Sequence, residues 1–428
     1  MSKHTINLFK GHPSDRLLPT AVVNQAVNSL LTRRWPEDDD PLDRHPLIYG
    51  TDPGSLSVRK SVARWTAEML SEKPADPNCI NLTNGASYGA ALALSLCTHA
   101  QSGYTKRAFL VSPTYFLINT VFHDAGFAGR LTAVKEDEMG IDLEFLEAEL
   151  KKFDRDPDVP LSEVLKSVGD RNYPRKFYRY VIYLVPSFSN PRGAVLSLDQ
   201  RGKLLNLARK HDALILCDDV YDMLDYRDIE KDGPLPSRLV VLDRQSIGHG
   251  DNHVGNAISN CTFSKLVGPG IRVGWQECPS PLLAKQLCSA GSVMSGGTPA
   301  QFNTMVIGEM IRLGTLNTVI DDLKKVFRER ARLVRQAMEI ELPRGTDIVG
   351  GDGGYFFWVT LPSNYDAREI IRICRERHVV IAGGDEFEVG GDEKNWGSQC
   401  FRVSFSYEET EALVEGIRIW GEVCRQAS

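Results

Sequence analysis

The chain contains no run of about 18 consecutive apolar residues, so nothing in it reads as a membrane-spanning helix. Its opening, "MSKHTINLFKGHPSD", lacks a charged segment followed by an apolar one, and the expected location is cytoplasmic. No cluster of lysine and arginine is long enough to follow a phosphate backbone, and the formal net charge is -6. Nucleic acid is therefore not an expected partner. Nine cysteines occur without a CxxC or a Cys/His ligand spacing, which removes the usual zinc modules, and their odd number argues against a complete disulfide framework. Reduced, mostly buried thiols and no metal are the expectation. No internal repeat or low-complexity tract is visible.

What is present is globular. Hydrophobic residues make up 42% and charged residues 25% of 428 residues, values of a folded chain long enough for two or three domains. Residues 36–46, "PEDDDPLDRHP", read as an acidic, solvated connector. Residues 54–72 carry apolar positions at helical spacing, with Asp52 as the expected cap and Pro53 near the first turn. "RAFLVSP" (107–113) and "RYVIYLVP" (179–186) are short apolar runs stopped by proline, as buried strands are. Ser197 and Gln200 make a capping-box pair at the start of a helix, and that helix leads into "ALILCDD" (213–219), a strand ending in acids. Strands alternating with amphipathic helices predict an α/β fold with parallel pairing, whose ligands gather at the carboxyl edge of the sheet. That edge holds Pro186 to Asn190, Asp218, and Thr262 to Lys265. Beyond residue 310 a long charged helix (316–342), a strand (353–362), a helix and a last strand (400–406) predict a smaller domain.

The chemistry concentrates in "CTFSKLVGPGIRVGW" (261–275). A solvated lysine amine is protonated at neutral pH, but beside cations or in a poorly solvated pocket it becomes a nucleophile capable of forming Schiff bases. Arg272 is the expected neighbouring charge for Lys265. Thr262 and Ser264 flank Phe263, so strand alternation points both hydroxyls one way, and Gly268 and Gly270 permit a tight turn beside them. Two hydroxyls and a guanidinium form a phosphate cup. "TNGASYGAALAL" (83–94) adds a helix start whose free amides favour an anion. Asp218 and Tyr221 could present a carboxylate and a phenol to one flat heteroaromatic ligand, with Asn190 as a second donor. Singly, each has a structural reading: a surface lysine, a helix cap, a proline turn. Jointly they meet the needs of pyridoxal 5'-phosphate, which requires a lysine for its aldehyde, an acid for its ring nitrogen, donors for its phenolic oxygen and a cup for its phosphate.

In "SNPRG", "CDDVY" and "TFSKLVGPGIRVGW", taken in that order, the chain resembles the fold type I pyridoxal-phosphate enzymes, specifically class I/II aminotransferases such as kynurenine and 2-aminoadipate aminotransferases. The resemblance implies a large domain (46–310) with a mostly parallel seven-stranded sheet between helices. It also implies a smaller α+β domain built from the two chain ends, 1–45 and 311–428. Lys265 would form the Schiff base and move the proton between substrate Cα and cofactor C4'. Asp218 would pair with the ring nitrogen, Asn190 and Tyr221 would bind the phenolic oxygen, and Tyr115 would stack on the ring. Ala86, Ser87, Thr262, Ser264 and Arg272 would hold the phosphate. Arg402 would clamp the substrate carboxylate, and Gly11 would bring its backbone against the substrate. Tyr49 would reach the phosphate of a neighbouring subunit, which implies a homodimer with shared sites.

The chain departs from the family pattern at Ser189 (often Gln), at Arg192 (often Thr) and in the phosphate loop, here Asn84, Gly85, Ala86 and Ser87. The implied reaction moves the amino group of an aromatic, 2-aminoadipate-like or branched L-amino acid to a 2-oxo acid by ping-pong kinetics. Two alternatives keep the same cofactor site: a lyase, cyclase or carbon–carbon bond-forming synthase, and a non-catalytic regulatory protein. Such regulators carry an N-terminal DNA-binding module, for which the expected layout leaves no room. Selection of the substrate side chain is expected in "HPSDRLLPTAVVNQAV" (12–27) and near "GGDEFEVGG" (383–391).

Overall fold

A computed structural model describes residues 5–35, 44–168, 175–247 and 254–427. Most of the acidic connector, 36–43, lies outside them. Among the described residues eight strands form one sheet: β1 (Ile80–Thr83), β2 (Arg107–Ser112), β3 (Leu131–Asp137), β4 (Gly140–Ile141), β5 (Tyr180–Leu184), β6 (Ala213–Asp218), β7 (Ala257–Thr262) and β8 (Gly274–Glu277). Their spatial order is β1-β8-β7-β6-β5-β2-β3-β4. Pairing is parallel from β7 through β6, β5 and β2 to β3, and antiparallel where β8 and β4 join. The expected seven strands thus gain an eighth of two residues, because the chain reverses after β3 and pairs back on Glu136 and Asp137.

Every residue of β5, β6 and β7 is buried, as helices on both faces of a parallel sheet require. Side chains alternate between two apolar layers. Phe109, Tyr180, Ile182 and Ile215 pack on one face, and Leu110, Val181, Tyr183 and Leu216 on the other. All nine cysteines are free, and all but Cys288 are buried. Among the described residues no helix is long and apolar enough to cross a membrane.

A second sheet contains β9 (Asp347–Gly350), β10 (Phe356–Thr360), β11 (Ala382–Gly383) and β12 (Cys400–Ser404). It is antiparallel throughout, in the order β9-β10-β12-β11. The helices Thr315–Glu341 and Thr410–Ala427 pack together beside it. Ile6–Asn7 pairs in parallel with Val379–Val380, so the N-terminal segment is tied to the C-terminal part of the chain. Position 310 falls inside the helix Gln301–Arg312.

Two local expectations need correction. The first helix after the connector spans Leu56–Leu70 with Ser55 at its cap position, not Asp52. Pro53 gives its carbonyl to Leu82 N of β1 at 2.9 Å, so the helix begins only after that tie. The capping box at Ser197 is half formed. Ser197 Oγ accepts from Gln200 N at 3.3 Å, but Gln200 Nε2 donates to Met139 O at 3.1 Å instead of returning to Ser197.

The end of β7 connects core to site. Phe263 is fully buried, with ring centroids of Trp275 and Trp65 at 4.7 and 5.7 Å. Its burial inward forces Thr262 and Ser264 outward on the same side. Truncating Phe263 to alanine would cost about 3–5 kcal/mol and unseat both hydroxyls.

Candidate active site

The carboxyl ends of β5, β6 and β7, the turn after β2 and the helix start after β1 converge on one cavity of about 190 Å³. Ala86, Ser87, Tyr115, Asn190, Asp218, Tyr221, Thr262, Ser264, Lys265 and Arg272 all line it. Arg402 and Gly11 close it from the side of the second sheet: Arg402 Nη1 donates to Asn190 Oδ1 at 2.9 Å, and Lys265 Nζ donates to Gly11 O at 2.9 Å. Tyr49 stands apart from this group. The residue is 77% exposed, its ring lies beside Gly296, and it does not line the cavity.

Lys265 carries the one amine among the residues that line the cavity. Burial pushes its amine down to about 8, the Arg402 guanidinium adds to the depression, and Asp218 opposes it. The neighbouring cation is therefore Arg402, not Arg272 as the spacing suggested. Arg272 turns away after a left-handed backbone step at its own φ of 50° and faces the hydroxyls. Asp218 is pushed up to about 6 by burial, while hydrogen bonds from Tyr183 and Asn260 and the charge of Lys265 hold it down. Tyr221 is 1% exposed, and burial raises its phenol, which therefore stays protonated. Tyr115 is pushed up to about 12 by burial and by the nearby Asp218.

The hydroxyl cup forms as the alternation predicts. Thr262 Oγ1 donates to Ser264 Oγ at 3.0 Å, and Arg272 Nη1 reaches Ser264 Oγ at 3.4 Å. Arg272 is also held by Asn84 O at 3.1 Å and Pro269 O at 3.0 Å. Of the two glycines expected to shape this turn, Gly268 takes a left-handed φ of 143°, whereas Gly270 does not. Opposite, the helix Ala86–Cys97 starts from Gly85, whose φ of 92° excludes most side chains. A Cβ there would sit 2.6 Å from Arg272 Nη2.

Arg402 is only 3% exposed, on β12 between Trp358 of β10 and Ala382 of β11. Nη2 donates to Phe9 O at 2.5 Å, Nε has no hydrogen-bond partner among the described residues, and the rings of Phe356, Phe387 and Phe9 lie 4.1, 4.7 and 5.2 Å from the guanidinium. Burial lowers its proton affinity to about 10, still far above neutral pH, so the cation persists.

The aminotransferase class I and II family model matches residues 33–417. The chain belongs to that family. It is 43% identical over 437 residues to the "Uncharacterized protein YER152C" of Saccharomyces cerevisiae, spanning 99% of this chain and 98% of the other. A 2-aminoadipate transaminase of Thermus thermophilus is 26% identical, over 97% of this chain and 89% of its own. Among solved structures, a kynurenine aminotransferase of Pyrococcus horikoshii superposes with a TM-score of 0.76 at 23% identity, covering 99% of this chain and 92% of that one. At that identity the likeness shows the fold.

Class I and II aminotransferases use pyridoxal 5'-phosphate, and the residues of this family member fit it. A depressed amine, a buried carboxylate, a protonated phenol and a hydroxyl–guanidinium cup surround one cavity, and the unpartnered Arg402 Nε leaves donor capacity at its edge. Sequence reasoning missed Tyr183, Asn260 and the three phenylalanines around Arg402. Asn260 had a signal: it shares strand parity with Thr262 and Ser264, so its polar side chain points to the same face of β7 as the hydroxyls. Of the phenylalanines, Phe387 lies in the segment 383–391 expected to select the substrate side chain, whereas Phe9 and Phe356 had no signal.

Proposed function

We propose that this protein is a pyridoxal-phosphate aminotransferase that moves the amino group of an L-amino acid to a 2-oxo acid. The observation that carries the reading is the half-buried Lys265, whose amine lies at about 8 under the opposing influences of Arg402 and Asp218, in a cavity whose other polar groups fit the cofactor. Aromatic, 2-aminoadipate-like and branched donors are the classes to which the reading extends.

Bound there, pyridoxal 5'-phosphate supplies an aldehyde that takes up amino groups and a ring that withdraws electrons from the substrate Cα. Lys265 Nζ removes the Cα proton and delivers it to the cofactor C4'. The Asp218 carboxylate keeps the ring nitrogen protonated. Tyr221 and the Asn190 amide, whose oxygen is already taken by Arg402, donate to the phenolic oxygen. Thr262, Ser264, Arg272 and the leading amides of Ala86 and Ser87 hold the phosphate, and Tyr115 covers the ring. Arg402 binds the α-carboxylate with its planar fork, beside the Gly11 backbone. Both half-reactions use the same groups in turn, so the kinetics are ping-pong.

The assembly in this reading is a homodimer in which Tyr49 serves the partner's phosphate. Its exposure, together with that of Leu47 two residues before it at 67%, supports that. Residues 46–310 form the cofactor domain, and 1–45 with 311–428 the smaller one, supported by the pairing of Ile6–Asn7 with Val379–Val380.

The test is a donor screen on the cofactor-loaded protein, following absorbance as the aldehyde form converts to the amine form, with 2-oxoglutarate or pyruvate added to reverse it. Conversion by at least one donor and reversal by a 2-oxo acid is the expected result. Consumption of the amino acid with release of ammonia or a new carbon–carbon bond, and no reversal, would replace transamination by a lyase or synthase. No conversion by aromatic, 2-aminoadipate or branched donors would remove the aminotransferase assignment.

A further inference from the structure

The carboxylate of Asp218 is gripped from beneath by two groups that do not line the cavity. Tyr183 of β5 donates from its hydroxyl to Asp218 Oδ2 at 3.0 Å, and Asn260 of β7 donates from Nδ2 to Oδ1 at 3.1 Å. Tyr183 is 1% exposed and Asn260 0%. The same Asn260 Nδ2 donates its second hydrogen to Ala86 O at 2.9 Å, in the first turn of the helix that starts at the hydroxyl cup. These two acceptors fix which end of the amide is nitrogen. Asn260 Oδ1 has no partner among the described residues and rests on the α-carbon of Gly89, where a Cβ would come within 2.2 Å. Gln276 Nε2 holds the carbonyl of that glycine at 2.8 Å. A buried amide with an unpaired oxygen is costly, and its place here is set by the two acceptors it joins.

We propose that Tyr183 and Asn260 are positioning residues: Tyr183 keeps the Asp218 carboxylate ionised and aimed at the cofactor ring nitrogen, and Asn260 ties that carboxylate to the phosphate-binding helix start. This rests on the aminotransferase reading of the site. Both residues act on the ring-nitrogen end of one rigid ligand, and Asn260 acts on its phosphate end as well, so their loss has different signatures. Removing the Tyr183 hydroxyl takes away a donor that favours the charged carboxylate, so Asp218 holds its proton to higher pH. Ionisable groups facing Asp218 are Lys265 on the turn after β7, Tyr183 on β5, Tyr115 after β2, and Tyr221 after β6. Among them only Lys265 is positive, and its titration is common to the parent and the variants. Removing Asn260 takes away a donor to Asp218 and, in addition, the tie to Ala86 O.

The experiment is the dissociation constant of pyridoxal 5'-phosphate for the cofactor-free full-length protein, measured from pH 6 to 8.5 for the parent, Tyr183→Phe and Asn260→Ala. Variant-to-parent ratios cancel the shared pH trends. For Tyr183→Phe the ratio is expected to be about fivefold or more at pH 6 and to fall within about twofold at pH 8.5, where pH alone ionises Asp218; this corresponds to a one-unit rise from a carboxyl near 6. For Asn260→Ala the ratio shows the same fall but levels off above about threefold at pH 8.5, because the phosphate end stays loosened. A ratio for Tyr183→Phe that does not change with pH means its hydroxyl is merely structural and overturns the first half. A ratio for Asn260→Ala that returns to one at pH 8.5 overturns the tie. A parent that binds no cofactor at any pH removes the functional reading itself and this inference with it, an outcome distinct from a binding parent with flat ratios. Thermal unfolding of the cofactor-free variants separates misfolding from either result, and the near-isosteric Tyr183→Phe keeps the first half testable if Asn260→Ala fails to fold.

Discussion

In the function proposed above, two arginines mark the ends of the site, and the chain treats them in opposite ways. Arg272, at the phosphate end, is exposed and is held by Asn84 O, Pro269 O and Ser264 Oγ. Arg402, at the carboxylate end, is 3% exposed, held by Asn190 Oδ1 and Phe9 O, and enclosed by three phenylalanine rings. A solvated cation attracts an anion weakly and is helped by many other donors, here hydroxyls and helix amides. A buried cation has already lost its water when the protein folded, and it attracts an incoming carboxylate through a medium that screens poorly. In the proposed reading the phosphate end would therefore tolerate the departure from the family loop at Asn84 to Ser87, while the carboxylate end would depend on one side chain.

The strongest way to test this division is to remove the group between the ends. Lys265→Ala should lower turnover by at least about a thousandfold, while leaving both anion-binding ends able to hold a cofactor–substrate adduct supplied from solution. Stopped-flow absorbance with such an adduct reads both effects. Next in size is Arg402→Gln. Its loss removes a two-donor charged contact, so kcat/KM for the amino donor should fall about a hundredfold, with the cofactor dissociation constant within about threefold of the parent. An equal loss at both ends would show that the site does not divide as described.

The sequence made one end far more legible than the other. Thr262, Ser264, Lys265 and Arg272 lie within eleven residues, and strand alternation around Phe263 was enough to put both hydroxyls on one side, as the 3.0 Å contact between them bears out. The parallel sheet and its carboxyl edge were legible for the same reason, since apolar runs and helical periodicity are local properties. The surroundings of Arg402 were not. Phe9, Phe356 and Phe387 come from the amino-terminal segment, β10 and a turn before β12, and only tertiary packing assembles them. The source of the depression at Lys265 was misjudged for that reason: proximity in sequence favoured Arg272, whereas the fold brings Arg402 near. Tyr183 looked like one more apolar core residue, because nothing local reveals that its hydroxyl ends on a carboxylate.

A smaller effect is expected at the open end. Arg272→Ala should weaken pyridoxal 5'-phosphate about tenfold, less in high salt where an exposed charge is screened, with the donor KM at saturating cofactor unchanged. The smallest effect sharpens the comparison most. Cofactor capture by the cofactor-free protein requires the neutral Lys265 amine, so its rate should follow a group near 8: a rise of about fivefold from pH 7 to 8 and less than about twofold from pH 8 to 9. An ordinary lysine would instead give about tenfold at each step. Arg402 lowers the proton affinity of that amine and Arg272 is not among the causes. The capture curve should therefore move to higher pH in Arg402→Gln, because losing a neighbouring cation lets the amine keep its proton longer, and should keep its position in Arg272→Ala. Curves that move together would mean that both arginines act on Lys265 through the same field, and that the buried end holds no special electrostatic advantage.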